Sequence, residues 1–206
     1  MSTYPEDIYA ESPTNPNTIA ALGPLAPMAG IWEGKNGIDI APKSRGARTH
    51  PFEERIVLDP VDPGNNGPQT LYALRYHSIM NKPGQRGTYH DQVGYWLWEP
   101  ATGVVMHSLS IPRAQTLLAG GHAAPDAKQF TLRAKRGATD FGIVSNPYLE
   151  SNFRTESFEI TVTIHDDGTW SYDEDTVMTI RGETFHHRDT NRLTRVGAHT
   201  PNPLAT

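Results

Sequence analysis

Nine histidines occur in this chain of 206 residues, and two of them adjoin, His186-His187, within the run Gly182–Leu193 (GETFHHRDTNRL). A neutral imidazole is a good axial ligand for haem iron. Its second ring nitrogen needs an orienting acceptor, which Asp189 or Asn191 can supply. Adjacent residues of an extended strand point to opposite faces, so at most one of the two imidazoles can look into a closed interior. The plainer alternative is a polar loop whose His and Asp side chains cap a turn.

His77, His90 and His107 fall in three consecutive segments of strand character. Three imidazoles from neighbouring strands can converge on zinc or non-haem iron. Their spacing matches no short ligand motif such as H-x-H or H-E-x-x-H. His77 also shares a face with Leu71, Ala73 and Ile79, the setting of a hydrogen-bonded core histidine. The carboxylates of Glu53-Glu54, Asp166-Asp167 and Asp173-Glu174-Asp175 fall at strand starts or turns and are expected in solvent. No serine sits in G-x-S-x-G, and neither GxxxxGK[ST] nor GxGxxG occurs. With no cysteine, disulfides, thiolate nucleophiles and Cys-ligated zinc are excluded.

The elements that must position these residues read as strands. Residues 1–20 are polar and proline-rich and are expected as a flexible arm, 21–200 as one barrel domain and 201–206 as a tail. Leu22–Met28 reads as a short helical or 3₁₀ lid, kept short by its prolines. Phe52–Leu58 is expected to end at Asp59-Pro60. Thr70–Met80 follows, then His90–Trp98 paired with Val104–Ile111 across Glu99–Gly103. Ala114–Leu118 and Gln129–Ala134 carry weaker strand signals. In Phe158–His165 the alternation is clear, with Phe158, Ile160, Val162 and Ile164 on one face. Asp166-Asp167-Gly168 turns the chain into Trp170–Ile180, and Leu193–Val196 closes the series.

This pattern predicts an all-β fold: a single antiparallel up-and-down barrel of about ten strands, lipocalin/FABP-like, with a short N-terminal helical turn. Such a barrel is wide enough to hold one small ligand. No stretch approaches 18 apolar residues, the N-terminus lacks a signal-peptide pattern, and the net charge of −5 includes no basic face. Neither membrane nor nucleic acid is expected as a partner. A cytoplasmic location is expected, and the chain leaves room for a homodimer without requiring one.

Short motifs in a fixed order carry a family resemblance. Leu25-Ala-Pro-Met-Ala-Gly-Ile-Trp-Glu-Gly34 resembles the opening of the nitrobindin family, a leucine-rich turn followed by a G-x-W-x-G strand. Phe52-Glu-Glu-Arg-Ile56 is similar to that family's second strand and Leu71–His77 to its third. Tyr89-His90-Asp-Gln-Val-Gly-Tyr-Trp96 resembles its H-x-E-x-G-[FY] strand, and Trp170-Ser-Tyr-Asp-Glu-Asp-Thr-Val-Met178 its S-Y-x-x-x-M strand. The resemblance spans residues 22–196. It implies a ten-stranded barrel of the fatty-acid-binding-protein type, holding haem b through one histidine near the C-terminus. It also implies nitric oxide binding and isomerisation of peroxynitrite to nitrate. His187 fits the spacing of that histidine slightly better than His186.

The chain departs from the family at two places. Arg188 and Asp189 follow the histidine where the family has leucine, and Ser110–Thr116, with Pro112 and Arg113, replaces an S-T-G-x-x-E strand. Two readings of function follow. The first is a haem barrel with His187 or His186 on the iron, Asp189 or Asn191 holding the tautomer, and Arg113 pairing with a propionate or small anion. The second is a lipocalin-like carrier of an apolar organic ligand without haem, in which Arg75, Arg113 or Tyr95 meets the ligand's polar end. A third, an enzyme using a His or Asp base, has no convincing base–nucleophile pair in the sequence.

Overall fold

In the computed structural model residues 4–201 are described. The expected tail, residues 201–206, lies almost entirely outside them. Among the described residues eleven strands form one closed barrel. They are β1 (Gly30–Lys43), β2 (Gly46–Asn66), β3 (Gln69–Asn81), β4 (Thr88–Glu99), β5 (Val104–Ile111) and β6 (Gln115–His122). The remainder are β7 (Gln129–Arg136), β8 (Gly142–Ser145), β9 (Arg154–Ile164), β10 (Trp170–Ile180) and β11 (Glu183–Gly197). The first and last strands pair, so the barrel has no open edge at that seam.

The all-β barrel read from the sequence is therefore present, with two corrections. It has eleven strands rather than about ten, and it is mixed, because the four-residue β8 pairs parallel to β7 and antiparallel to β6. Too short and too weakly patterned to be legible, β8 is held by its neighbours. β2 also runs past Asp59-Pro60 to Asn66, accommodating its prolines through a register shift between Val61 and Gly64. A proline costs one ladder hydrogen bond and is tolerated where a strand is irregular.

One end of the barrel is filled. Asn17 caps the short helix α1 (Thr18–Ala21) by accepting from the Ala20 N–H, and a 3₁₀ turn over Gly23–Met28 follows. That turn buries Leu22, Leu25 and Met28 completely, in one cluster with Trp32, Leu58, Leu74, Trp98, Trp170 and Leu193. Full burial of each large side chain contributes about 2 kcal/mol. Trp32 Nε1 donates to the Met28 carbonyl at 2.7 Å, and the Arg195 guanidinium lies 4.3 Å from the Trp32 ring. The same strands run on to the opposite end, where their inward side chains become polar and a cavity opens. Among the described residues no helix is long and apolar enough to cross a membrane.

Candidate functional site

The site is built by strand alternation. Along β11 the inward residues are Phe185, His187, Asp189, Asn191 and Leu193, while His186, Arg188 and Arg192 face out. β10 contributes Trp170, Tyr172, Glu174, Thr176 and Met178 to the interior, and β2 contributes Glu54 between Phe52 and Ile56. On β1 a bulge between Gly34 and Gly37 shifts the alternation, so that Asp39 rather than Ile38 or Ile40 turns inward. The resulting cavity has a volume of about 620 Å³. Ile56, Leu109, Leu117, Phe158, Ile160 and Met178 line its apolar wall; Asp39, Glu54, Glu174, His187 and Asp189 gather at one pole.

At that pole His187 Nε2 stands 3.0 Å from Asp39 Oδ1 and 3.3 Å from Asp189 Oδ2. Burial opposes the charged imidazolium, but Asp39, Asp189 and Glu174 outweigh it and raise the His187 pKa. Burial holds the Glu174 and Asp189 carboxyls well above the usual range against the pull of His187, helped by repulsion from Asp189 and Glu54 at Glu174 and from Asp39 and Glu54 at Asp189. Glu54 is raised by burial alone, against three donors: Ser78 Oγ at 2.7 Å, Tyr172 Oη at 2.8 Å and Asn191 Nδ2 at 3.1 Å.

A second polar chain crosses the cavity wall. His90 Nε2 lies 3.1 Å from Gln92 Oε1, Gln92 Nε2 donates to Tyr76 Oη at 2.7 Å, and Tyr76 Oη lies 2.9 Å from His107 Nε2. His107 is 1% exposed and stacks on Trp96 at 3.8 Å between ring centroids. Burial depresses its pKa to about 3, so its imidazole is neutral at ordinary pH.

Of the residues singled out from the sequence, His187, Asp189, His90, His107 and Arg113 line the cavity. His186 and His77 do not. His186 faces out with Nδ1 2.7 Å from Asp175 Oδ2, and His77 faces out 3.2 Å from Asp91. His77, His90 and His107 are therefore not brought to one point. Arg75 and Tyr95 also lie on the outer face, Arg75 3.7 Å from Asp59 and Tyr95 45% exposed. Asn191 serves Glu54 rather than His187.

The expectation that Glu54 and Glu174 are solvated is corrected: both point into the barrel. The signal was available, since Glu54 shares parity with Phe52, Ile56 and Leu58, and Glu174 with Trp170 and Tyr172. Asp39 carried no such signal, because the bulge that turns it inward is a tertiary feature.

The profile of the THAP4-like, heme-binding beta-barrel domain matches residues 21–195, nearly the whole barrel. The chain belongs to the THAP4-like heme-binding β-barrel family. Among curated proteins there is no significant match. Among solved structures this THAP4-like barrel is similar to Rv2717c from M. tuberculosis, with a TM-score of 0.60 and 20% identity. That similarity covers 87% of this chain and 98% of Rv2717c, and at this identity it speaks for the fold. Within the THAP4-like family a haem needs an axial nitrogen free to reach iron and an acceptor on the other ring nitrogen. Lys43 and Arg113 line the cavity and could serve propionates. At His187, however, Asp39 Oδ1 and Asp189 Oδ2 stand 3.0 and 3.3 Å from Nε2, in the space that a porphyrin around an iron on that nitrogen would need. The residues present do not fit a five-coordinate haem on His187.

Proposed function

We propose that this barrel binds one small amphipathic organic molecule in its interior, its apolar body against Leu109, Leu117, Ile160 and Met178 and its polar end toward the His187 pole. One observation carries the reading. The barrel interior holds a cavity of about 620 Å³ whose wall is apolar on one side and whose titratable groups gather at one pole. The volume lies within the range of small-molecule sites, and the mix of apolar wall and few polar groups is what such sites share.

The acidic pole sets the chemistry of the polar end. Four carboxylates face one imidazole there, so the site favours a donor or cationic head over a carboxylate head. Haem b and the nitric oxide and peroxynitrite chemistry implied by resemblance require room for a porphyrin beside the axial nitrogen, which Asp39 and Asp189 take up, and no step of the proposed function runs through them.

N-phenyl-1-naphthylamine, a neutral apolar amine whose fluorescence rises in apolar surroundings, tests the reading. Saturable enhancement at one probe per chain is expected. In Leu117→Trp, which fills the apolar wall, the enhancement should be lost while the circular dichroism spectrum is kept. No saturable enhancement in the wild-type chain, or undiminished enhancement in a folded Leu117→Trp chain, overturns it.

A further inference from the structure

Three carboxylates stand in register on three neighbouring strands: Asp39 of β1 is the partner of Asp189 on β11, and Asp189 is the partner of Glu174 on β10. Like charges directly opposite each other in a sheet repel, and burial strengthens the repulsion. Among the described residues no lysine or arginine ion-pairs with Asp39, Asp189, Glu54 or Glu174, and His187 is the one basic side chain in ion-pair contact with the row. An isolated ionised carboxylate in such surroundings is costly, so buried carboxylates are normally paired with cations or coordinate metals. Tyr89 lines the same cavity, with its hydroxyl enclosed in the wall and without a hydrogen-bond partner.

The geometry points to a non-haem divalent cation held by Asp39, His187 and Asp189. One ligand atom from each lies within 4.8 Å of the other two. Ligands about 2.1 Å from one ion stand about 3.0 Å apart at a right angle and about 3.4 Å apart at a tetrahedral angle. The two separations from His187 Nε2, 3.0 and 3.3 Å, lie in that interval. A single imidazole with two carboxylates suits the first-row ions from Mn²⁺ to Zn²⁺, and the sides facing the cavity stay open to water or to a ligand. The ion takes the place of the His187 Nε2 proton between the same two oxygens, and that proton passes to solvent. Glu174 adds negative charge beside the site. This inference rests on the row of acids and holds whether or not the cavity takes an organic molecule.

Full-length chain freed of metal with EDTA and then dialysed is titrated with Mn²⁺, followed by loss of the free-ion electron paramagnetic resonance signal. Co²⁺ is titrated in parallel, followed by its visible absorption. One saturable site per chain is expected. His187→Gln and Asp39→Asn, which keep side-chain volume, should each weaken Mn²⁺ by about 100-fold or more, while His186→Gln on the outer face leaves affinity unchanged. Thermal melts of all variants establish that each is folded. No saturable Mn²⁺ or Co²⁺ binding by the wild-type chain overturns the inference. So does equal binding by folded His187→Gln and Asp39→Asn. Probe binding with N-phenyl-1-naphthylamine in EDTA separates the readings: probe without metal binding removes only the ion, and metal without probe binding removes only the organic ligand.

Discussion

His187 Nε2 and Asp39 Oδ1, 148 positions apart in the chain, meet at 3.0 Å across the seam where β11 closes on β1. The contact therefore belongs both to barrel closure and to the polar pole of the cavity. His187→Leu would leave Asp39 and Asp189 buried without a counter-charge. We expect a loss of about 3 kcal/mol, at the low end for a broken buried pair because the imidazole is partly open to the cavity. Urea unfolding measures it, and His187→Leu/Asp39→Leu should recover part of the loss. A double variant no more stable than His187→Leu would show that the carboxylate is not the cause.

Glu54 accepts from Ser78, Tyr172 and Asn191 at once. Glu54→Leu strands three buried donors, each costing about 1 kcal/mol or more. For a chain of this size the melting temperature should fall by roughly 6–12 °C. A fall under 2 °C, well below that range, would sink the assignment of Glu54 as the hub of this network.

His107 makes stability sensitive to acid. Its folded pKa is depressed to about 3 while the unfolded value lies near 6.5, so below about pH 6.5 the unfolded chain binds a proton that the folded chain refuses. Stability is full above pH 6.5 and declines toward pH 3. His107→Phe removes this component but keeps a stacked ring beside Trp96. The difference in urea midpoint between wild type and variant should change steadily between pH 6.5 and pH 4, and a difference independent of pH would refute the buried neutral imidazole.

Hemin titration addresses the family's cofactor directly. We expect no Soret shift that depends on His187, because Asp39 and Asp189 crowd the space beside Nε2 that a porphyrin would need. A stoichiometric Soret band abolished by His187→Ala and kept in His186→Ala would overturn the fit argument and restore haem as the ligand.

Gly94 tests how tightly the barrel wall is built. A Cβ there would meet the Ser108 carbonyl oxygen on β5 at 2.0 Å. Gly94→Ala must part β4 from β5, beside the polar chain through Gln92 and Tyr76, and should cost about 2 kcal/mol or more. A melting temperature within 1 °C of wild type would count against this close approach.

The barrel itself was legible in the chain. Period-two alternation in segments such as Phe158–Ile164 and Trp170–Ile180, separated by turn residues, demands a sheet with one apolar face, and closure is how a long antiparallel meander hides its edges. The alternation also placed His187 and Asp189 on one face and His186 on the other. What only the tertiary structure decided is which charges share the interior. Glu54 and Glu174 looked like surface acids because carboxylates ordinarily stay in water, and the burial of Glu54 draws on Tyr172 and Asn191, 118 and 137 positions away. Asp39 enters only because a bulge in β1 reverses the alternation, and it falls level with Asp189 and Glu174 only because β1, distant in sequence, closes in register on the β10–β11 hairpin. Alternation is a local property of each strand, whereas register and closure are set by the whole barrel, and the polar pole is made by register.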